Sequence, residues 1–244
     1  MIELYIQNGE EVYAPIVEGD IKWETNRMGQ PGKINFSIVC DEKLNFQEGN
    51  KVILAVDEQD IFLGYVFKKL RNRDNIISVT AYDQLRYLKN KDTFVYNNKT
   101  AGQVVSMIAK KFLLKTGELD DTLYKIANRV EDNKSLFDII QKALDLTLQH
   151  EGKIYVLYDD FGEITLKEAS KMKLEVMINK EGAENFSYSS SIDNETYNLI
   201  ELYYENKGSG EREFAREMDQ RNISKWGVLK YTESVDDGKK GMIK

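Results

Sequence analysis

The first eighty-two residues carry six apolar stretches of strand length, and where their pattern is clearest it repeats every two residues rather than every three or four. The stretches are IELYI (2–6), DIKWE (20–24), KINFSIVC (33–40), KVILAV (51–56), IFLGYVFKKL (61–70) and NIISVTAY (75–82). In the third, Ile34, Phe36, Ile38 and Cys40 share one face while Asn35 and Ser37 take the other, the pattern of a strand with one buried side. Asn8-Gly9, MGQPGK (28–33), Glu48-Gly49 and RNRDN (71–75) supply the Gly, Pro, Asn and Asp that reversals require. Connections this short join antiparallel neighbours, so a small antiparallel barrel or sandwich is predicted over 1–97.

The period then changes. Thr100 and Gln103 have the spacing of a capping box, and after them Val104, Ile108 and Phe112 stack on Val105, Ala109 and Leu113 as one apolar helical stripe. Ser135, three residues before Asp138, opens a second helix whose buried face is predicted as Leu136, Ile139, Ile140, Ala143, Leu144 and Thr147. The intervening 116–134 reads as a connection with a short strand near 124–126. Strands return from Lys153: a hairpin around Asp159-Asp160-Phe161-Gly162, then AENFSYSSSI (183–192), YNLIELYYE (197–205) and WGVLKYTE (226–233), with ENKGSGERE (205–213) as a polar loop. The reading is α+β: a β region over 1–97, a helical connecting segment over 98–150, and a second β-rich region over 151–244.

Charge and composition narrow the function. With 34 Lys and Arg against 41 Asp and Glu the net charge is -7, the wrong sign for a protein that neutralises phosphates, so no specific nucleic-acid partner is expected. No apolar run approaches the roughly 18 residues that cross a bilayer, and acidic residues interrupt the opening MIELYIQNGEEVY, which reads as no signal peptide. The single cysteine, Cys40, permits no internal disulfide, fits synthesis in a reducing cytoplasm, and with the single histidine, His150, leaves too few ligands for a Cys- or His-based zinc centre.

No arrangement of residues rises to a catalytic motif. Asp160-Phe161-Gly162 copies the metal-binding tripeptide of kinases without the Gly-rich loop or the His-Arg-Asp that must accompany it; it reads as a hairpin turn. His150 sits where a helix ends and is placed to cap carbonyls. Cys40 falls inside a strand, not at an exposed helix N-terminus where a thiolate nucleophile belongs. The serines of SYSSSID (187–193) lack a nucleophile elbow, the pairs Asp120-Asp121, Asp159-Asp160 and Asp236-Asp237 lie in turn sequences, and GQPGK (29–33) lacks phosphate-loop spacing. No catalytic residue, metal site or cofactor is therefore expected. Fourteen tyrosines with Trp23 and Trp226 could stack on sugars, but most lie in alternating segments that packing explains.

The order of elements carries more information than any motif. A strand ending in AYDQLRYL (81–88), then NKTAGQVVSMIA (98–109), helices, and SYSSSIDNETYNLI (187–200) resembles, along essentially the whole chain, the XkdQ/YqbQ family of phage and prophage tail proteins, relatives of late control protein D and of the baseplate hub. The resemblance implies two tail-tube-like β domains, and three chains closing into a trimeric ring that joins a sixfold tail tube to a threefold spike or tip. It implies a structural role, with partners in further copies of the chain, the tube protein and the spike protein. It also implies synthesis in the bacterial host cytoplasm, assembly into a virion or tail-like particle, and an acidic channel that passes DNA without holding it. On this reading Leu85 and Leu88 anchor a corner in the core, Tyr82 and Asp83 hold its bend by side-chain to backbone hydrogen bonds, Arg86 pairs with Asp83 or faces a neighbouring subunit, and Trp226 is a further interface residue. The chain stops at DDGKKGMIK (236–244), earlier than members of that family usually do, so the second β region is expected to be truncated. The alternatives are a peptidoglycan hydrolase or a wall-binding module of the tail tip.

Overall fold

The computed structural model describes residues 1–175, 189–193, 195–205 and 210–235. The predicted strand over 183–192 lies mostly outside these residues, as do Asp236-Asp237, the tail 236–244 and residues 206–209 of the predicted loop. The chain forms two compact units, Met1–Glu175 and Val176–Lys244.

The first unit begins with β1 (Ile2–Asn8), β2 (Glu11–Tyr13), β3 (Lys22–Glu24), β4 (Lys33–Val39), β5 (Lys51–Val56), β6 (Gln59–Arg71) and β7 (Ile76–Tyr82). They form one sheet in the order β2-β1-β5-β6-β7-β4-β3, antiparallel at every pairing. Burial in β4 alternates as its sequence predicts, with Ile34, Phe36 and Ile38 inside. Leu4 and Ile6 of β1 pack in the same core as these residues, although three strands separate β1 from β4; the sheet must therefore curl so that one face closes on itself. Its partly exposed face carries a polar ladder, Thr80 to Asn35 at 2.9 Å and Ser37 to Ser78 at 3.1 Å.

Two irregularities shape this sheet. Between Val66 and Lys68 the β6–β7 register shifts, so Phe67 is an extra residue, re-aimed as bulge residues are. Pairing of β2 with β1 covers only Ile6 to Asn8. Continued, it would set Pro15 against Leu4, and proline has no N–H to give the ladder. The chain instead crosses to β4, where Val39 N–H donates to the Ile16 carbonyl and Glu18 N–H to that of Ser37. Among the described residues the edge of β1 over residues 2–5 has no partner strand.

A second layer follows: β8 (Lys91–Tyr96), α1 (Ala101–Lys111), β9 (Thr116–Leu119), β10 (Arg129–Ser135), α2 (Leu136–Glu151), β11 (Tyr155–Asp160) and β12 (Glu163–Glu168). β8 pairs with β10, and β12 lies between β11 and β9. The segment between the helices thus holds two strands, and the predicted strand near 124–126 is a single bridge, Ile126 to Lys99. Ion pairs and ladder bonds order it, with Glu131 held by Arg129 at 2.7 Å; a polar strand of this kind shows no apolar alternation.

Both helix starts are built as their sequences predict. Thr100 Oγ1 accepts from Gln103 N–H at 3.3 Å, and Gln103 Oε1 accepts from Thr100 N–H at 3.1 Å; Ser135 Oγ accepts from Asp138 N–H. Removing the capping hydroxyl with Thr100→Ala is expected to cost about 1 kcal/mol, measured as a shift of the urea midpoint at unchanged slope. All six residues predicted for the buried face of α2 are buried. Leu113 departs from its predicted stripe: the helix ends at Lys111, and Leu113 turns left-handed at φ 55 and is 91% exposed.

The core of this layer runs from Leu85 and Leu88 through both helices to Tyr155, Leu157, Ile164 and Leu166. The hairpin of β11 and β12 is therefore part of the helical layer. Its turn has Phe161 at φ 46 and Gly162 at φ 88, the paired positive values of a two-residue hairpin loop.

In the second unit β13 (Leu199–Glu205) lies between β14 (Arg212–Met218) and β15 (Lys230–Ser234), with α3 (Gln220–Trp226) on the crossover to β15. The helix departs from the predicted strand over 226–233: Trp226 ends α3 and Gly227 stops it at φ 87. Ser189, Ser190 and Ser191 lie outside any strand. The fold is α+β, mostly antiparallel strands with few helices.

Candidate functional site

The corner after β7 is where the curled sheet passes the chain to the helical layer. Asp83 is 5% exposed and caps a 3-10 turn over Gln84–Lys89. Its Oδ1 accepts from Leu85 N–H at 3.0 Å and its Oδ2 from Gly32 N–H at 2.8 Å, while its own N–H donates to the Gly32 carbonyl at 3.1 Å. One side chain thereby ties the loop before β4 to the start of the turn. Leu85 and Leu88 point the other way, into the core of the second layer. Between them Gln84 behaves like a stretch of backbone: its Nε2 donates to the Lys115 carbonyl and its Oε1 accepts from Lys115 N–H, both at 3.2 Å.

Arg86 does not pair with the Asp83 carboxylate, which is turned inward to two backbone amides. Its guanidinium lies 5.3 Å from the centre of the Phe67 ring, a cation–π distance. Tyr82 contributes a ring rather than a bend-holding hydrogen bond, standing edge-on to Phe67 at 5.4 Å, and Tyr87 lies 6.2 Å from the same ring. The β6 bulge assembles this cluster by turning Phe67 toward it. Trp226 is half-buried in the second unit.

Asp159, at the end of β11, joins Asp83 in lining a cleft of about 510 Å³. Its Oδ1 accepts from Gly162 N–H at 2.7 Å, whereas its Oδ2 is shielded from solvent with no hydrogen-bond partner among the described residues. Burial pushes the Asp83 carboxyl up to about 8, and the charge of Asp159 adds to this, against the pull of the Gly32 and Leu85 amides. Burial likewise raises Asp159 to about 6, with Asp160 adding and the Gly162 and Gln84 groups opposing. Displaced carboxyls in a cleft mark candidate binding sites.

The remaining chemical candidates have structural partners. Asp120 accepts from Glu168 N–H and meets Lys171 at 2.9 Å, and Asp121 accepts from Leu123 N–H. His150, in the last turn of α2, stacks on Tyr124 at 4.0 Å between centroids rather than on helix carbonyls. Cys40 follows the end of β4, half-buried against the sheet's core.

Two buried polar residues of the second unit have no signal in the sequence. Asn198 Nδ2 donates to the Gly227 carbonyl at 2.7 Å and its Oδ1 accepts from Leu229 N–H at 2.8 Å, fixing the exit from α3. Glu201, 6% exposed, is held below the ordinary range by Lys230 and Arg216. Neither could be singled out without knowing which strands neighbour β13.

The YQBQ-like family model matches residues 21–243. Two proteins of Bacillus subtilis (strain 168) are similar along 97% of this chain. Uncharacterized protein YqbQ is 31% identical, with 73% of its own length covered, and Phage-like element PBSX protein XkdQ is 30% identical, with 74% covered. Among solved structures, the 43 kDa tail protein of prophage MuSo2 from Shewanella oneidensis shares the fold, with a TM-score of 0.70 over 96% of this chain and 73% of that one at 17% identity. With a family match over most of its length and relatives this similar from end to end, the chain belongs to the YQBQ-like family.

Proposed function

We propose that the protein is a structural component of the tail of a phage, a prophage or a phage-tail-like particle, serving as the hub between a sixfold tail tube and a threefold spike or tip. The observation that carries this reading is the similarity to Phage-like element PBSX protein XkdQ along 97% of the chain; the fold shared with a prophage tail protein supports it. In the proposed particle three copies close into a ring, so that one heterologous surface serves every junction. The partners are further copies of this chain, the tube protein and the spike protein. The open edge of β1 over residues 2–5 suits such contacts, because a bare strand edge offers a row of N–H and C=O groups to another chain. No catalytic step and no cofactor are part of the proposal. Among the described residues no helix is long and apolar enough to cross a membrane, and the proposed destination after synthesis in the host cytoplasm is the particle.

Immunogold electron microscopy of intact particles, with antibody raised against residues 1–244, tests the reading. Label is expected only where tube meets tip. Label on fibres, on the outer tip surface or nowhere on the particle overturns it and favours wall binding or hydrolysis.

A further inference from the structure

We infer that the cleft in front of Asp83 and Asp159 is a socket for an arginine side chain presented by a partner polypeptide. Its apolar wall includes Trp23, Ile61, Phe161 and Met172, and its acids are Asp60, Asp83, Asp159 and Asp160. Trp23 is 48% and Met172 38% exposed, so both offer surface to an incoming group. At about 510 Å³ the cleft has the size of a small-molecule site, enough for a long side chain and its flanking backbone.

No lysine or arginine among the described residues pairs with the acids of this cleft, of which Asp83 keeps its proton up to about pH 8. Among the described residues, Glu24, Asp92, Asp120, Glu131, Glu168 and Glu201 each meet a lysine or an arginine. None of the four cleft aspartates does. Arg27 lines the same cleft, yet it is exposed and forms no ion pair among the described residues. Asp159 also has a shielded oxygen with no hydrogen-bond partner among the described residues. An opposite charge brought to the mouth by Asp60 and Asp160 would relieve both conditions, since attraction strengthens where water is partly excluded.

The mixed walls select the cation. A divalent ion needs several oxygens converging on one point, and no group of three or more acidic, His or Cys residues among the described residues converges in that way. Arginine's planar, weakly hydrated guanidinium both stacks on an indole face and bridges carboxylates spread along a wall. This inference does not depend on the hub reading and could fail without touching it.

The test uses the whole chain and nuclear magnetic resonance, with N-acetyl-arginine amide as probe and the neutral isostere N-acetyl-citrulline amide as control. Saturable shifts are expected at the amides of Gly32, Leu85 and Gly162 and at the Trp23 indole. Citrulline should bind at least tenfold more weakly, and so should arginine in the Asp60→Asn/Asp160→Asn double variant, whose two sites are exposed and leave Asp83 and Asp159 in place. An equal response to citrulline, an unchanged response in the double variant, shifts scattered over other acidic surfaces, or the same localised shifts with calcium alone would each overturn the assignment.

Discussion

Replacing Gly32 with alanine is expected to cost the fold about 2–3 kcal/mol. The new Cβ would stand 2.4 Å from Asp83 Oδ2, well inside contact distance. Asp83 can move only by giving up its bonds: Oδ1 is held by Leu85 N–H, and the turn behind it is anchored by Leu85 and Leu88, which are 3% and 0% exposed. Either the carboxyl swings away and leaves buried polar groups unpaired, at about 1–3 kcal/mol each, or the loop before β4 is pushed out with comparable strain. The variant Gly9→Ala is the control. Gly9 has φ 61 with nothing within 4 Å of a new Cβ, so only backbone strain of about 1 kcal/mol is expected there. Urea unfolding of both variants measures the difference, and a Gly32→Ala loss no larger than that of Gly9→Ala would mean the Asp83 carboxyl is not locked in place.

Stability is expected to fall as pH rises from about 4 to 8, the reverse of ordinary acid denaturation. Asp83 titrates at about 8 in the fold against 3.8 for an unperturbed aspartate, and Asp159 at about 6 against 3.8. Between these limits the folded chain holds protons that the unfolded chain has released, so unfolding gains with each step in pH. The contribution of Asp83 is fully present below pH 3.8 and is lost as pH passes through 8; that of Asp159 is lost by about pH 6. At about 1.4 kcal/mol per pH unit, the span for Asp83 reaches on the order of 5 kcal/mol. Ion-paired acids such as Asp92 and Glu201 have lowered values and act in the opposite sense, but only in more acidic solution. Denaturant midpoints at pH 5, 6.5 and 8 check the slope. Asp83→Asn should flatten it, whatever that variant's absolute stability, because asparagine does not titrate. A slope that is flat in the parent chain, or unchanged in the variant, would contradict the buried-carboxyl account.

Both expectations turn on a hydrogen bond spanning 51 residues, Gly32 to Asp83, and a charge interaction spanning 76, Asp83 to Asp159, and this marks what local sequence could and could not specify. Alternation at Ile34, Phe36 and Ile38 determined a half-buried strand because side chains of a strand reverse faces at every residue. The caps at Thr100 and Ser135 determined two helix starts because each is satisfied within three residues, and the face of α2 followed from its period. The Asp159 to Gly162 turn was equally local. The aspartate of the corner could be read as a bend-holder on the same ground, since one of its two acceptors serves Leu85, two residues away.

Tertiary structure alone decided what that corner faces. Its second acceptor goes to Gly32, its neighbouring acid comes from β11, and its arginine stacks on a phenylalanine displaced by a bulge that no residue of β6 announces. Polar strands such as β10 form because a partner strand and ion pairs await them, and the hairpin of β11 and β12 belongs with the helices because its apolar residues fill their core. Asn198 and Glu201 became recognisable only once β14, α3 and β15 closed around them. A side chain's periodicity, caps and turn preferences are settled by neighbours a few residues away, so the sequence by itself determined the elements. The depth at which a carboxyl is buried, and which opposite charge fails to reach it, depend on elements far apart in the chain, so only the folded molecule decided the cleft.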